Sequence, residues 1–102
     1  KAGKPVKIIL SASRMDNGNY LIKARMVDEN ERTCLDYNKR VYFDSYGPGK
    51  LKKYYGTPTG SNVIEFASGR AAIEFIPDGK GESIIEARNQ DFKDSYITIK
   101  IN

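Results

Sequence analysis

The chain has 102 residues, 39% of them apolar and 29% charged, with a net charge of +4, a single cysteine and no histidine. That length suits one domain, which can bury about two-thirds of its unfolded surface without a covalent staple. A histidine-based triad or metal site is excluded, one cysteine cannot form an internal disulfide, and apolar runs of about four residues fall far short of the roughly 20 needed for a membrane-spanning helix.

The opening KAGKPV lacks an initiating methionine and reads as a cut from a longer protein, with residues 1–5 as a linker and residues 6–102 as the domain. From Val6 onward the hydrophobic period is two, the strand signal. In VKIILSA, Val6, Ile8 and Leu10 share a face. Asp16-Asn17-Gly18-Asn19 carries an Asn-Gly hairpin signal. In YLIKARMVD, Tyr20, Ile22, Ala24 and Met26 oppose Lys23 and Arg25. The turn DENE follows, and then RVYFDSY sets Val41 and Phe43 against Tyr42, Asp44 and Tyr46. Gly47-Pro48-Gly49 ends that strand and redirects the chain, because Gly supplies permissive dihedrals and Pro cannot donate to a ladder. A short VIEF (63–66) comes next. RAAIEFI then turns Ala71, Ile73 and Phe75 inward, SIIEAR turns Ile85 and Ala87 inward, and YITIKI turns Ile97, Ile99 and Ile101 inward. About seven strands, each apolar on one face only, predict two antiparallel sheets packed face to face as an all-β, immunoglobulin-like sandwich.

Residues with chemical potential are few. Cys34 has no histidine to activate it and reads as a small buried hydrophobe. Asp28 closes a strand before a turn, where its carboxylate can accept backbone N–H bonds. Asp28, Glu29 and Glu31 do not match a calcium loop of EF-hand type. Glu65, Glu74 and Glu86 alternate with core residues on separate strands and read as the solvent face of a sheet rather than a glycosidase carboxylate pair. Gly47 to Lys50 lacks the spacing of a phosphate-binding loop. No cofactor is expected.

One real concentration lies between Tyr37 and Tyr55, which holds five of the seven tyrosines together with Lys39, Arg40, Lys50, Lys52 and Lys53. Lys50, Lys52, Lys53, Tyr54 and Tyr55 are the candidate binding residues. Three uses are open to them: packing on a neighbouring domain, stacking on sugar rings, or contact with single-stranded nucleic acid. No recognised RNA-binding motif is present and the positive charge is modest, so neighbouring domains are the expected partners, with carbohydrate second, and neither nucleic acid nor membrane insertion is expected.

Four stretches carry a resemblance along nearly the whole chain: ARMVDENERTC (24–34), VYFDSYGPGKL (41–51), SGRAAIEF (68–75) and GESIIEAR (81–88). Their order resembles the C-terminal bacterial Ig-like domain of family 2 glycoside hydrolases, the β-galactosidase and β-glucuronidase relatives, with the invasin-type Ig-like repeat of surface proteins as near neighbour. AGKPVKIILSASR (2–14) is similar to the linker and first strand of the hydrolase group, which follow a preceding domain. The resemblance implies a non-catalytic accessory domain of an exported glycoside hydrolase, acting in domain packing or positioning and in carbohydrate contact. The alternative it implies is an adhesion or spacer repeat of a bacterial surface protein. No catalytic residue carries over, because in that family those residues sit in a separate barrel. An exported parent implies a secreted, periplasmic or cell-surface location.

Overall fold

The computed structural model describes residues 3–52 and 63–101. Eight strands are present: β1 (Lys7–Arg14), β2 (Tyr20–Val27), β3 (Arg40–Tyr46), β4 (Lys50–Leu51), β5 (Val63–Glu65), β6 (Arg70–Ile76), β7 (Gly81–Asn89) and β8 (Phe92–Ile101). They form two antiparallel four-stranded sheets in the orders β1-β2-β6-β4 and β5-β3-β7-β8. This is the two-sheet arrangement of an immunoglobulin sandwich, with β5 added beside β3 at one edge. The strand beyond the seven expected is β4, two residues long. So short a segment carries no periodicity to read, and it is a strand only because β6 offers it a free edge.

The hairpins behave as their turn residues dictate. Gly18 takes a φ of 87° between β1 and β2, and Asn17 Oδ1 accepts the Asn19 backbone N–H at 3.0 Å. The resulting register pairs Ile8 with Met26 and Leu10 with Ala24, and β2 in turn sets Ile22 opposite Ile73. In the second sheet Phe43 lies opposite Ala87, and Ile85 opposite Ile97. Because strand parity is two, these pairs point every second residue into the space between the sheets. Ile22, Met26, Phe43, Ile73, Phe75, Ile85 and Ile99 all lie in that layer, with Phe66 and Tyr37 closing one end through an edge-to-face ring contact at 5.1 Å. Asn89 is also buried there, where its amide donates to Tyr37 Oη at 2.7 Å and to the Arg40 carbonyl at 2.9 Å.

Between β3 and β4 the chain changes sheets within three residues. Gly47 and Gly49 have φ values of 101° and 108°, and Ser83 Oγ donates to the Pro48 carbonyl. At Gly49 a Cβ would meet the Phe75 ring and would sit 2.7 Å from the Ile76 carbonyl oxygen. The crossing therefore needs glycine both for its dihedral and for its closeness to the core.

Asp28 ends β2 as its sequence context suggests. It is 2% exposed, and its carboxylate accepts N–H bonds from Gly3 at 2.7 Å and from Asn30 and Arg32 at 2.9 Å each. These three donors, with the Gly3 bond first, hold its pKa below the usual carboxylate value despite burial. Two of them build the turn, and the third ties the segment before β1 to the sandwich. Cys34 is buried nearby, with Sγ 3.5 Å from the Gly3 carbonyl oxygen, and burial pushes its thiol pKa up, as expected of an unreactive side chain.

Three outcomes follow. Phe43→Ala or Phe75→Ala costs about 3–5 kcal/mol in chemical denaturation, because each leaves a cavity between two sheets that cannot close around it. Gly49→Ala costs about 1–3 kcal/mol in the same assay, through its positive φ and its contacts at Phe75 and Ile76. Asp28→Asn keeps the turn but sets its amide against the Gly3 N–H, so Gly3 exchanges its amide proton faster and the melting temperature drops at pH 7. The folded pKa of Asp28 is depressed, so its contribution is present above the unfolded value of about 3.9 and fades as pH falls through the lower folded value. The gap between the two proteins' melting temperatures therefore narrows on acidification.

Candidate functional site

The outer face of the β5-β3-β7-β8 sheet is built by the residues that alternate with its core. Tyr42, Asp44 and Tyr46 project from β3, Ile84, Glu86 and Arg88 from β7, and Asp94, Tyr96 and Thr98 from β8. Register sets Tyr42 beside Arg88, Glu86 between Asp44 and Tyr96, and Ile84 between Tyr46 and Thr98. Two carboxylates directly opposite each other repel. Arg88 offsets this, with Nη2 2.7 Å from Asp44 Oδ2 and Nε 4.0 Å from Glu86 Oε1. Its guanidinium carbon also lies 6.0 Å from the Tyr42 ring centroid, at the outer limit of a cation–π contact.

Glu86 is the centre of this face. The sequence suggests an exposed glutamate, yet it is only 5% exposed. Tyr46 Oη donates to Oε1 at 2.7 Å and Tyr96 Oη donates to Oε2 at 2.8 Å, so two phenol rings from the flanking strands close over it. The Tyr46 hydroxyl first, then the Tyr96 hydroxyl, the Asp94 carboxyl and the positive charge of Arg88, hold its pKa down against the burial that would raise it. Asp94 shifts upward, chiefly through its hydrogen bond to Glu86. Both tyrosine hydroxyls are held above their ordinary pKa because they donate to Glu86. With both carboxylate oxygens already accepting, Glu86 acts as a clamp. It fixes Tyr46 and Tyr96, which remain 53% and 59% exposed, with their ring surfaces free to meet another body. Among the described residues, the large apolar side chains left exposed are Tyr42, Tyr46, Ile84 and Tyr96 on this one face, together with Val6 and Leu35 elsewhere.

Lys50 and Lys52, read from sequence as part of one basic and aromatic cluster, lie on the other sheet. Lys50 is in β4 beside Ile76, and Lys52 Nζ is 3.9 Å from Glu74 Oε1. Lys53, Tyr54 and Tyr55 lie outside the described residues. The chain crosses between sheets at Gly47–Gly49, which puts Lys50 and Lys52 on the sheet opposite Tyr42 and Tyr46. The clamp at Glu86 was not legible from the chain. Its only trace is a glutamate between two apolar neighbours, and recognising it requires the register that brings Tyr46 and Tyr96 to either side.

No family model matches the chain. A protein of Formosa agariphila named "Putative beta-glucuronidase" is 45% identical over 101 residues, covering 98% of this chain and 12% of that protein. Among solved structures, Bacteroides uniformis beta-glucuronidase 3 superposes with a TM-score of 0.82 at 29% identity, over 97% of this chain and 13% of that one. Parabacteroides merdae beta-glucuronidase gives 0.86 at 25%, over 98% and 12%. A beta-glucuronidase from glycoside hydrolase family 2 gives 0.89 at 23%, over 99% and 12%, a likeness of fold. The chain thus spans about an eighth of the length of these relatives. The relatives at 25% identity or more carry the name β-glucuronidase, and this chain corresponds along nearly its whole length to one segment of them.

Proposed function

We propose that this chain is a non-catalytic accessory domain, of the C-terminal Ig-like kind, in a larger glycoside hydrolase, and that it packs against and positions a neighbouring domain through its tyrosine face. What carries this reading is the 45% identity that runs through 98% of the chain yet touches only 12% of the relative. The chemistry of the chain supports it. A glycosidase needs two carboxyl groups about 5–9.5 Å apart, with room for the sugar between them. Glu86 instead has both carboxylate oxygens engaged by Tyr46 and Tyr96 and is only 5% exposed, which leaves no room for a sugar against it. The tyrosine face has the composition of an interface centre: rigid rings that lose little entropy on docking, with their polar atoms already satisfied. That the parent is exported rests on the family resemblance alone.

Two assays test the proposal. The chain alone is expected to give no turnover of aryl β-glucuronides or aryl β-galactosides; activity that copurifies with it and disappears on a single carboxylate substitution would overturn the non-catalytic assignment. The second assay replaces the matching segment of the Formosa agariphila relative with this chain. The chimera is expected to fold as one cooperative unit, and Tyr46→Ser with Tyr96→Ser to lower its melting temperature by more than the same pair lowers that of the chain alone. Equal losses in both settings would show that the tyrosines serve only their own sheet.

A further inference from the structure

The opposite face of the sandwich, on the β1-β2-β6-β4 sheet, has a different chemistry. Its outward strand positions carry Lys7, Lys23, Arg25, Lys50 and Arg70, with Lys52 just past β4, against one acid in the strands, Glu74; Lys7 is 3.8 Å from Glu31 in the turn after β2. Glu74 is already engaged by Lys52 at 3.9 Å and by the amide of Asn19. Arg25 lies directly opposite Arg70 in the β2–β6 register, and Lys23 is the next outward residue along β2. Like charges directly opposite one another destabilise a sheet. None of the ion pairs among the described residues engages Arg25, Arg70 or Lys23. Arg25 is nonetheless ordered, with Nη1 donating to Thr33 Oγ1 at 2.7 Å. Between these cations runs an open trough of about 510 Å³ floored by Ser11 and Ala72, residues too small to fill it.

We infer that this trough binds an acidic polysaccharide, with Arg25 and Arg70 forking onto carboxylate or sulfate groups and Lys23 adding a third charge. Guanidinium groups suit planar, bidentate contact with such anions. A flat strand surface with a small-residue floor admits an extended chain. The face has no aromatic ring among its described outward residues, whereas single-stranded nucleic acid is held by base stacking on such rings. A glycan rather than another polyanion follows from the accessory-domain reading, on which this inference rests. An anion lying between Arg25 and Arg70 offsets their like-charge opposition.

Affinity electrophoresis and titration calorimetry of the 102-residue chain test this with polygalacturonate, neutral dextran and a single-stranded oligonucleotide. Polygalacturonate is expected to bind, dextran not to bind, and the affinity for polygalacturonate to fall as salt is raised. Arg25→Gln and Arg70→Gln are each expected to weaken it about tenfold or more. Arg70→Gln is also expected to leave the melting temperature unchanged or higher, which a merely structural arginine would not do. Lys100→Gln, on the other sheet, is the control expected to bind as the parent chain does. No polygalacturonate binding, equal binding to dextran, or retention of affinity in both arginine variants would overturn the inference. So would tighter binding to the oligonucleotide, which would make the trough a nucleic-acid surface. Failure here is separable from failure of the accessory-domain reading, since turnover of aryl glycosides by the chain refutes that reading whether or not the trough binds.

Discussion

The sheet change at Gly47-Pro48-Gly49 is the constraint on which the rest of the molecule depends. In three residues the chain must leave one sheet and pair with the other, passing so close to Phe75 that a Cβ at Gly49 would press on its ring. Only a backbone with positive φ at both glycines makes that crossing. Its consequences reach both surfaces. It sets Leu51 into the core beside Phe75, and it puts Lys50 and Lys52 on the face opposite Tyr42 and Tyr46. Continuation of β3 by even a few residues would have left those lysines among the tyrosines and merged two faces of different chemistry into one.

The two outer faces solve the problem of charge on a sheet differently. On the β3-β7-β8 face opposing carboxylates are neutralised internally, by Arg88 and by hydroxyls that donate to Glu86. The carboxylates at the centre of that face and the hydroxyls of Tyr46 and Tyr96 have partners, so what the centre exposes is largely ring surface, suited to a dry contact. On the β2-β6 face the arginines stand opposite each other and no ion pair among the described residues engages them, so the surface is suited to an anion from outside. A domain with one self-satisfied face and one charged, unsatisfied face can be held by a neighbour on the first while presenting the second.

The segment before β1 belongs to the same logic of satisfied groups. A strand that ends in a tight turn leaves backbone donors without partners, and buried donors are costly to strand. Asp28 collects three of them, one from Gly3, and so couples the entry of the chain to the β2 turn. The carboxylate is thereby fully used, which explains why the acidic run from Asp28 to Glu31 builds a turn.

The sequence by itself determined the class of fold, because a period of two on nearly every apolar run leaves only one-sided sheets that must face each other. It also determined the inward set, including Phe43, Ile73, Phe75 and Ile85, since parity along a strand is fixed by the pleat, and it foretold the roles of Asp28 and Cys34 from their immediate neighbours. It could not determine β4, a two-residue strand defined by its partner alone, nor which outward residues share a face. Those depend on register between strands far apart in the chain: Glu86 meets Tyr46 across 40 positions, and Arg25 meets Arg70 across the β2–β6 pairing. Local pattern specifies which way a side chain points, and only the tertiary structure decides what it finds there.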